Sequence, residues 1–256
     1  MSTNVRRLPV QAKRRHAMAL EPPLGQRVAL VSGANRGIGL EVSRQLASVG
    51  VTVFMGMREP GKGEKAVRSV RELGGDAFAI RLDVTKPKDI DAAIAHIDER
   101  FGRLDILVNN AGGFFDPAGR ASEADIDTLR GALDVNLIGA WSLAGAAIPL
   151  MKRHGYGRIV NVSSECAVRT KCGDNSPAYR VSKAALNAFT QVLAQEMTGS
   201  GIVVNAVCPG WTATQLGGSG GRPVAESAEG IVWAALLSDR ESTTGEFFRD
   251  RMKLAW

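Results

Sequence analysis

The sequence predicts a doubly wound α/β fold: a seven-stranded, mainly parallel sheet with helices on both faces, in one domain. Two observations predict it. The strand-like segments are short and apolar throughout, the pattern of strands buried on both faces. They alternate with segments whose apolar residues recur at helical spacing. Alternating βα units close into a barrel or stay open as a sheet. A barrel takes eight units, and this chain offers about six and a last strand, so the open sheet is expected.

The elements follow in order. The first strand covers 27–33 and stops at glycine. A helix over 37–49 places Ile38, Val42, Leu46 and Val49 on one face. Strand 52–57, helix 61–73 and strand 77–83 come next. Pro87 opens a helix running to 101, where the missing N–H of proline costs nothing. Strand 104–108 leads into a long helical stretch over 122–152. Strand 158–162, helix 178–198, strand 202–208, helix 225–238 and a seventh strand at 245–249 complete the series. The glycine-rich stretch 217–221 reads as a loop beside the site rather than a linker.

Composition bounds the function. Hydrophobic residues at 45% and charged residues at 23% exclude a mainly disordered chain. No wholly apolar run reaches the roughly 18 residues of a membrane span, so none is expected. Of the net charge of +6, residues 1–25 carry +4. Residues 1–25 are therefore expected to be a basic, flexible tail, and 26–256 the folded domain. The tail lacks repeats and interleaved aromatics, so neither nucleic acid nor a membrane is an expected partner. It also lacks the apolar core of a secretory signal. Cys166, Cys172 and Cys208 have no metal-type spacing and suggest no disulfide framework, which fits a cytoplasmic setting. His16, His96 and His154 share no motif, and no metal site is expected.

The first strand ends in Ser32-Gly33-Ala34-Asn35-Arg36-Gly37-Ile38-Gly39. Glycines there permit a tight turn, close approach of backbone to a pyrophosphate, and tight packing of helix on strand. The amides at the helix start then face the phosphates. A carboxylate that bonds an NAD ribose usually stands about 20 residues past such glycines. Here that place reads Met57-Arg58. A guanidinium grips a 2′-phosphate in a fork, so Arg58 with Arg36 predicts NADP(H). The alternative is NAD(H), with Glu59 on the ribose.

Tyr179 and Lys183, four apart, share one face of a helix. An ammonium beside a phenol lowers its pKa from about 10 toward working pH, which suits a proton donor. Alone the pair recurs by accident. Ser163 and Ser164 at the end of the fifth strand, Ser164 15 residues before Tyr179, add hydroxyls able to bond a substrate oxygen.

The spacing Gly33-x-x-x-Gly37-x-Gly39, with Asn109-Asn110-Ala111-Gly112 and Tyr179-x-x-x-Lys183, resembles the short-chain dehydrogenase/reductase family over roughly 26–256. The resemblance implies a single-domain Rossmann fold and a nicotinamide dinucleotide. It implies that Asp83 and Val84 flank the adenine, and that Asn110, Ala111 and Gly112 line the cofactor. It places Pro209, Gly210, Thr212 and Thr214 at the nicotinamide carboxamide. It assigns catalysis to Ser164, Tyr179, Lys183 and Asn136, the last holding a relay water; a helix asparagine that merely bonds backbone is the plainer reading. Gly245-Glu246-Phe247-Phe248 and Trp256 look most like the carbonyl-reductase branch, although the long insertion of some monomeric members before Tyr179 is missing. The helices over 122–152 and 178–198 pair across a two-fold axis in that family, implying a homodimer or homotetramer. The expected function is NADPH-dependent reduction of a ketone or aldehyde with a hydrophobic body. The alternatives are an NAD-dependent alcohol dehydrogenase and a non-catalytic NADP(H) sensor.

Overall fold

A computed structural model describes residues 21–113, 116, 119–168, 176–239 and 243–256. Residues 1–20 of the expected tail, with His16, and Cys172 lie outside the described residues. Strands and helices alternate as β1 (Val28–Ser32), α1 (Gly37–Ser48), β2 (Thr52–Met57), α2 (Pro60–Arg71), β3 (Ala77–Arg81), α3 (Pro87–Phe101), β4 (Ile106–Asn109), α4 (Ile126–Leu133), α5 (Gly139–His154), β5 (Gly157–Val162), α6 (Pro177–Glu196), β6 (Ile202–Val207), α7 (Val224–Ala235), β7 (Phe247–Arg249) and β8 (Met252–Leu254). They form one sheet in the order β3-β2-β1-β4-β5-β6-β7-β8. The order reverses between β1 and β4, and a crevice opens at such a switch point, where open α/β sheets bind ligands.

The sheet has eight strands, one more than expected. β8 pairs antiparallel with β7. It is three residues long, and its turn uses Asp250 and Arg251 at φ 51° and 65°. Two-residue hairpin turns of that hand favour glycine, and its absence here hides the turn from a sequence reading.

The long helix is also interrupted. A π turn at Asp134–Ile138 joins α4 to α5, and π turns cluster at functional sites. The joined rod Ile126–His154 spans 29 residues and is long and apolar enough to cross a membrane by length and composition. This departs from the expectation of no such segment; Asp134 and Asn136 break the apolar run in sequence but not its average. Buried residues make up 44% of its most apolar window, and Leu143, Ala144, Ala147 and Met151 face the core on the sheet.

Two apolar layers sandwich the sheet. Leu30, Phe54, Leu107 and Ile159 point to the side of α3, α5 and α6. Val31, Val53, Met55 and Val108 point to the side of α1, α2 and α7. The alternation along each strand sorts the apolar side chains between the two layers.

Cys166 is disulfide-bonded, which departs from the expectation of no disulfide, while Cys208 is a free, buried thiol.

The end of the sheet away from the crevice holds a charged cluster. Arg158 is fully buried and bonds Asp239 at 2.6 Å and the Leu237 carbonyl at 2.8 Å. Arg27 bonds Glu21 at 2.7 Å. Both guanidinium groups stack near the ring of Tyr156, at 4.2 and 5.2 Å from its centroid. The Tyr156 hydroxyl is buried and has no hydrogen-bond partner among the described residues. The ring therefore carries the interaction and the hydroxyl only a desolvation cost. Tyr156→Phe should keep stability within about 0.5 kcal/mol of the parent or raise it, whereas Tyr156→Leu should cost about 1–3 kcal/mol. Urea unfolding midpoints test this; a Phe variant more than about 1.5 kcal/mol weaker would mean the hydroxyl has a partner.

Candidate active site

The crevice begins at the glycine loop. Gly33 and Gly37 take φ of 65° and 55°, a region that favours glycine. A Cβ on Gly39 would stand 2.4 Å from the Asn110 side chain and 2.5 Å from the Gly33 carbonyl. Helix α1 thus lies as close to β1 and β4 as backbone allows. No side chain caps the start of α1, so its first amides remain available for an anion. Asn35 and Arg36 are exposed beside them, and Ile38 is half-buried against the core. These features fit a dinucleotide pyrophosphate.

Asn110 fixes this cradle. Its side chain donates to the Ser32 and Gly33 carbonyls at 2.9 and 3.2 Å. The Ser32 hydroxyl accepts from the amides of Asn110 and Ala111 at 3.0 and 2.9 Å. Ser32 is a site-shaping residue the sequence reading missed, since a serine ending a strand carries no pattern.

At the far end of the cradle Met57 is buried, and a Cβ on Gly63 of α2 would overlap its sulfur. Met57 therefore packs down onto the helix. Arg58 is exposed next to it. Burial opposes ionisation of Asp83, but bonds from the Thr85 amide and hydroxyl and the charges of Lys86 and Arg58 hold its carboxyl below the usual range. Asp83 is thus a turn residue whose carboxylate feels Arg58. Val84 is buried, packed on Gly139 of α5. Glu59 pairs with Lys62 at 2.6 Å.

The residues expected to do acid–base work meet at the ends of β5 and α6. The Ser164 side chain neighbours the Tyr179 phenol and favours its ionised form. Lys183 Nζ lies 5.8 Å from the Tyr179 ring centroid and donates to the Val162 carbonyl at 2.8 Å. Asn136 sits in the π turn, buried. Its amide donates to the Gly113 carbonyl at 3.1 Å and to Ser182 Oγ at 2.9 Å, and its oxygen accepts from the Gly113 amide at 3.1 Å. Ser182 in turn donates to the Tyr179 carbonyl at 2.8 Å. Two of these contacts are to the backbone of Gly113, as the plainer expectation for Asn136 has it, and the third is to the Ser182 side chain. A Cβ on Gly112 would lie 3.2 Å from Asn136 Oδ1 and 3.5 Å from Lys183 Nζ.

One electrostatic expectation is reversed. Burial pushes the Tyr179 phenol up to about 12, with the neighbouring Ser164 side chain opposing it. Burial pushes Lys183 down to about 8. A buried ammonium is costly to charge, so Lys183 holds its proton less firmly than a sequence reading assumes, while remaining mostly charged at neutral pH. The nearby Cys208 thiol, accepting from the Glu165 and Gly210 amides at 3.2 and 3.4 Å, is pushed up by burial as well.

The loop after β6 closes the crevice. Pro209 is buried and Gly210 takes φ 75°. The Thr212 hydroxyl is turned inward, onto Ser227 Oγ at 2.8 Å. The Thr214 hydroxyl accepts from the Gly217 amide at 3.0 Å, and its methyl faces Gly37. Gln215 accepts from Arg36. The loop thereby spans from the nicotinamide end expected for Pro209 to the glycine cradle.

With the cradle, the Tyr-Ser-Lys cluster and the closing loop assembled at one crevice, comparison with known proteins decides the family. A model of the short chain dehydrogenase family matches residues 27–222. The chain belongs to the short-chain dehydrogenase family. By that membership it is an oxidoreductase. A 3-oxoacyl-[acyl-carrier-protein] reductase of Staphylococcus aureus is 36% identical over 192 residues, 73% of this chain and 75% of that protein. The crystal structure of a gluconate 5-dehydrogenase from Burkholderia cenocepacia, in complex with NADP and tartrate, is similar at a TM-score of 0.79 and 26% identity, covering 87% of this chain and 92% of that one. An NAD+-bound xylitol dehydrogenase is similar at a TM-score of 0.79 and 27% identity, covering 88% and 97%. Neighbours of this short-chain dehydrogenase thus carry either nicotinamide dinucleotide.

Proposed function

We propose that this chain is an NADPH-dependent reductase that converts a ketone or aldehyde with a hydrophobic body to an alcohol, reversibly, in the cytoplasm. The observation that carries the reading is the convergence of Tyr179, Ser164 and Lys183 at the strand ends, with Lys183 Nζ 5.8 Å from the Tyr179 ring centroid. A phenol held near 12 stays protonated at neutral pH and is ready to give its proton.

Gly33, Asn35, Gly37, Ile38 and Gly39 would hold the pyrophosphate, Asp83, Val84, Asn110, Ala111 and Gly112 the adenine side and floor, and Pro209, Gly210, Thr212 and Thr214 the carboxamide end. When bound, the reduced nicotinamide supplies the hydride that a carbonyl carbon takes up. Tyr179 donates the proton to the carbonyl oxygen. Ser164 hydrogen-bonds the same oxygen and steadies charge developing there. Lys183 orients the ribose hydroxyls. Asn136 frames the pocket through Gly113 and Ser182 and lies on the side from which the proton returns.

The preference for NADPH rests on the end of β2. Met57 faces away into α2 and offers no carboxylate. Arg58 and Arg36 are exposed for a 2′-phosphate. Glu59, the residue an NAD site would need, is engaged with Lys62.

The test follows absorbance loss of each reduced cofactor with a panel of aliphatic, aromatic, cyclic and acyl-thioester carbonyls, for the parent and Arg58→Ala. Turnover should favour NADPH in the parent. Arg58→Ala should raise KM for NADPH about tenfold or more and leave KM for NADH within about twofold. Equal losses with both cofactors would overturn the Arg58 assignment; silence of the parent with the whole panel, alongside tight NADPH binding, would favour a sensor.

The half-exposed Ile138 and Trp141 on the rod and Val181 and Val192 on α6 form an apolar outer face. We assign this face to a second copy, giving a homodimer or homotetramer rather than a membrane contact. A monomer mass by light scattering would count against it.

A further inference from the structure

Helix α6, which carries Tyr179 and Lys183, begins in an unusual way. Its first residue is Pro177, which has no N–H. Its N-cap residue Ser176 provides no side-chain bond, and its first turn holds no acidic residue. The first donors left to satisfy are the amides of Ala178 and Tyr179. Both are taken by one carboxylate from far away in sequence. Asp116 Oδ2 accepts from Ala178 N at 2.9 Å, and Asp116 Oδ1 is 3.4 Å from Tyr179 N. A negative charge here also meets the positive end of the helix dipole.

Asp116 stands past Gly112 in the chain after β4, and two described residues on either side of it, Gly113 and Gly119, make contacts of their own. Gly113 is clamped through both its amide and its carbonyl by Asn136. Gly119 packs on Pro177, where a Cβ would come 3.9 Å from the proline ring and 4.0 Å from Asp116 Oδ2. Tyr179 is therefore held at its amide by Asp116 and at its carbonyl by Ser182. Ser182 joins back to Asn136, which joins to Gly113. The chain of bonds runs from the connection after β4, through Asp116 to the start of α6, and through Ser182 and Asn136 back to that connection.

We infer that Asp116 is a positioning residue: its carboxylate sets the place of Tyr179 against Ser164 and ties the β4 connection to the helix that bears the proton donor. The catalytic half of this inference rests on the acid–base reading proposed above. A local cap such as a serine hydroxyl could have satisfied one amide of α6. A carboxylate from the β4 connection instead satisfies two and makes the height of Tyr179 depend on that connection. Small displacements of a reacting group cost large factors in rate.

The full-length chain carrying Asp116→Ala, Asp116→Asn or Tyr179→Phe tests this, with three readouts. These are kcat at saturating NADPH and carbonyl, the NADPH dissociation constant by fluorescence, and amide hydrogen exchange at Ala178 and Tyr179. Asp116→Ala should lower kcat on the order of tenfold to a hundredfold, leave the NADPH dissociation constant within about twofold, and speed exchange at the two amides at least about tenfold. Asp116→Asn keeps one accepting oxygen but sets an NH2 donor against the other amide, so its kcat should fall between that of Asp116→Ala and that of the parent. The inference is overturned by an unchanged kcat in Asp116→Ala, by Asp116→Asn as impaired as Asp116→Ala, or by a kcat loss that follows a loss of NADPH binding. Retained turnover in Tyr179→Phe would instead overturn the acid–base reading and the catalytic half with it. The exchange readout then still decides whether Asp116 holds the start of α6: unchanged exchange at Ala178 and Tyr179 refutes that too.

Discussion

Tyr179→Phe should lower kcat for carbonyl reduction by about a thousandfold or more while leaving the NADPH dissociation constant within about twofold. The ring stays, so packing around α6 stays. What is lost is one oxygen, the one that stands beside Ser164. The glycine cradle, built by Gly33, Gly37, Gly39 and Asn110, touches none of this. The size of the loss follows from the two jobs proposed for the phenol: donating the proton, and fixing the carbonyl oxygen together with Ser164. The pH dependence separates the two directions of reaction. A phenol near 12 is protonated throughout pH 6–9, so Tyr179 itself imposes no loss on reduction in that range. Alcohol oxidation needs the same oxygen deprotonated, so its rate should climb by up to about tenfold per pH unit over the same range. Parallel pH profiles of the two directions, or turnover retained in the Phe variant, would refute the role given to Tyr179.

The ease of reading different parts of this site from sequence has a physical basis. The glycine cradle was legible because the constraint is local: a tight turn followed by a helix start needs glycine at fixed spacing, and Gly33, Gly37 and Gly39 supply it. The Tyr179–Lys183 pairing was legible because four residues make one helical turn. The direction of their pKa shifts was not, because it depends on burial by residues from β5, β6 and the π turn. The π turn itself has the composition of the helices on either side. β8 is too short to show a period, and its turn lacks glycine. Asp116 was invisible for a different reason. It acts on residues 62 and 63 positions away, and a lone aspartate before a proline in a loop carries no periodic signal. Tight local geometry leaves a trace in spacing; contacts closed by the fold do not.

Lys183→Met should abolish efficient turnover and yet make the protein more stable at neutral pH. Lys183 is buried, and burial holds its ammonium at about 8 instead of 10.5. A shift of that size corresponds to roughly 3 kcal/mol of strain on the charged form. The bond to the Val162 carbonyl returns part of it. Methionine fills a similar volume without a charge, so a net gain of about 1–2 kcal/mol is expected below pH 8. The sign with pH is fixed by linkage. The folded-state pKa lies below the unfolded one, so the unfolded chain binds the proton more tightly, and parent stability rises as pH climbs from about 8 toward 10.5. Lys183→Met lacks that rise, and its advantage shrinks across the same window. Tyr179 acts in the opposite sense and higher up: its folded value of about 12 exceeds the unfolded 10, so its contribution is lost between those values in both proteins. Urea unfolding of parent and variant at pH 6.5, 8 and 9.5 gives the answer. A variant no more stable than the parent at pH 6.5, or an advantage that does not fall with pH, would mean that the Lys183 charge is not strained. A strained cation kept at this position, where a neutral side chain would fold better, is then a cost accepted for the site, because only a group that donates protons can hold both the Val162 carbonyl and a ribose hydroxyl.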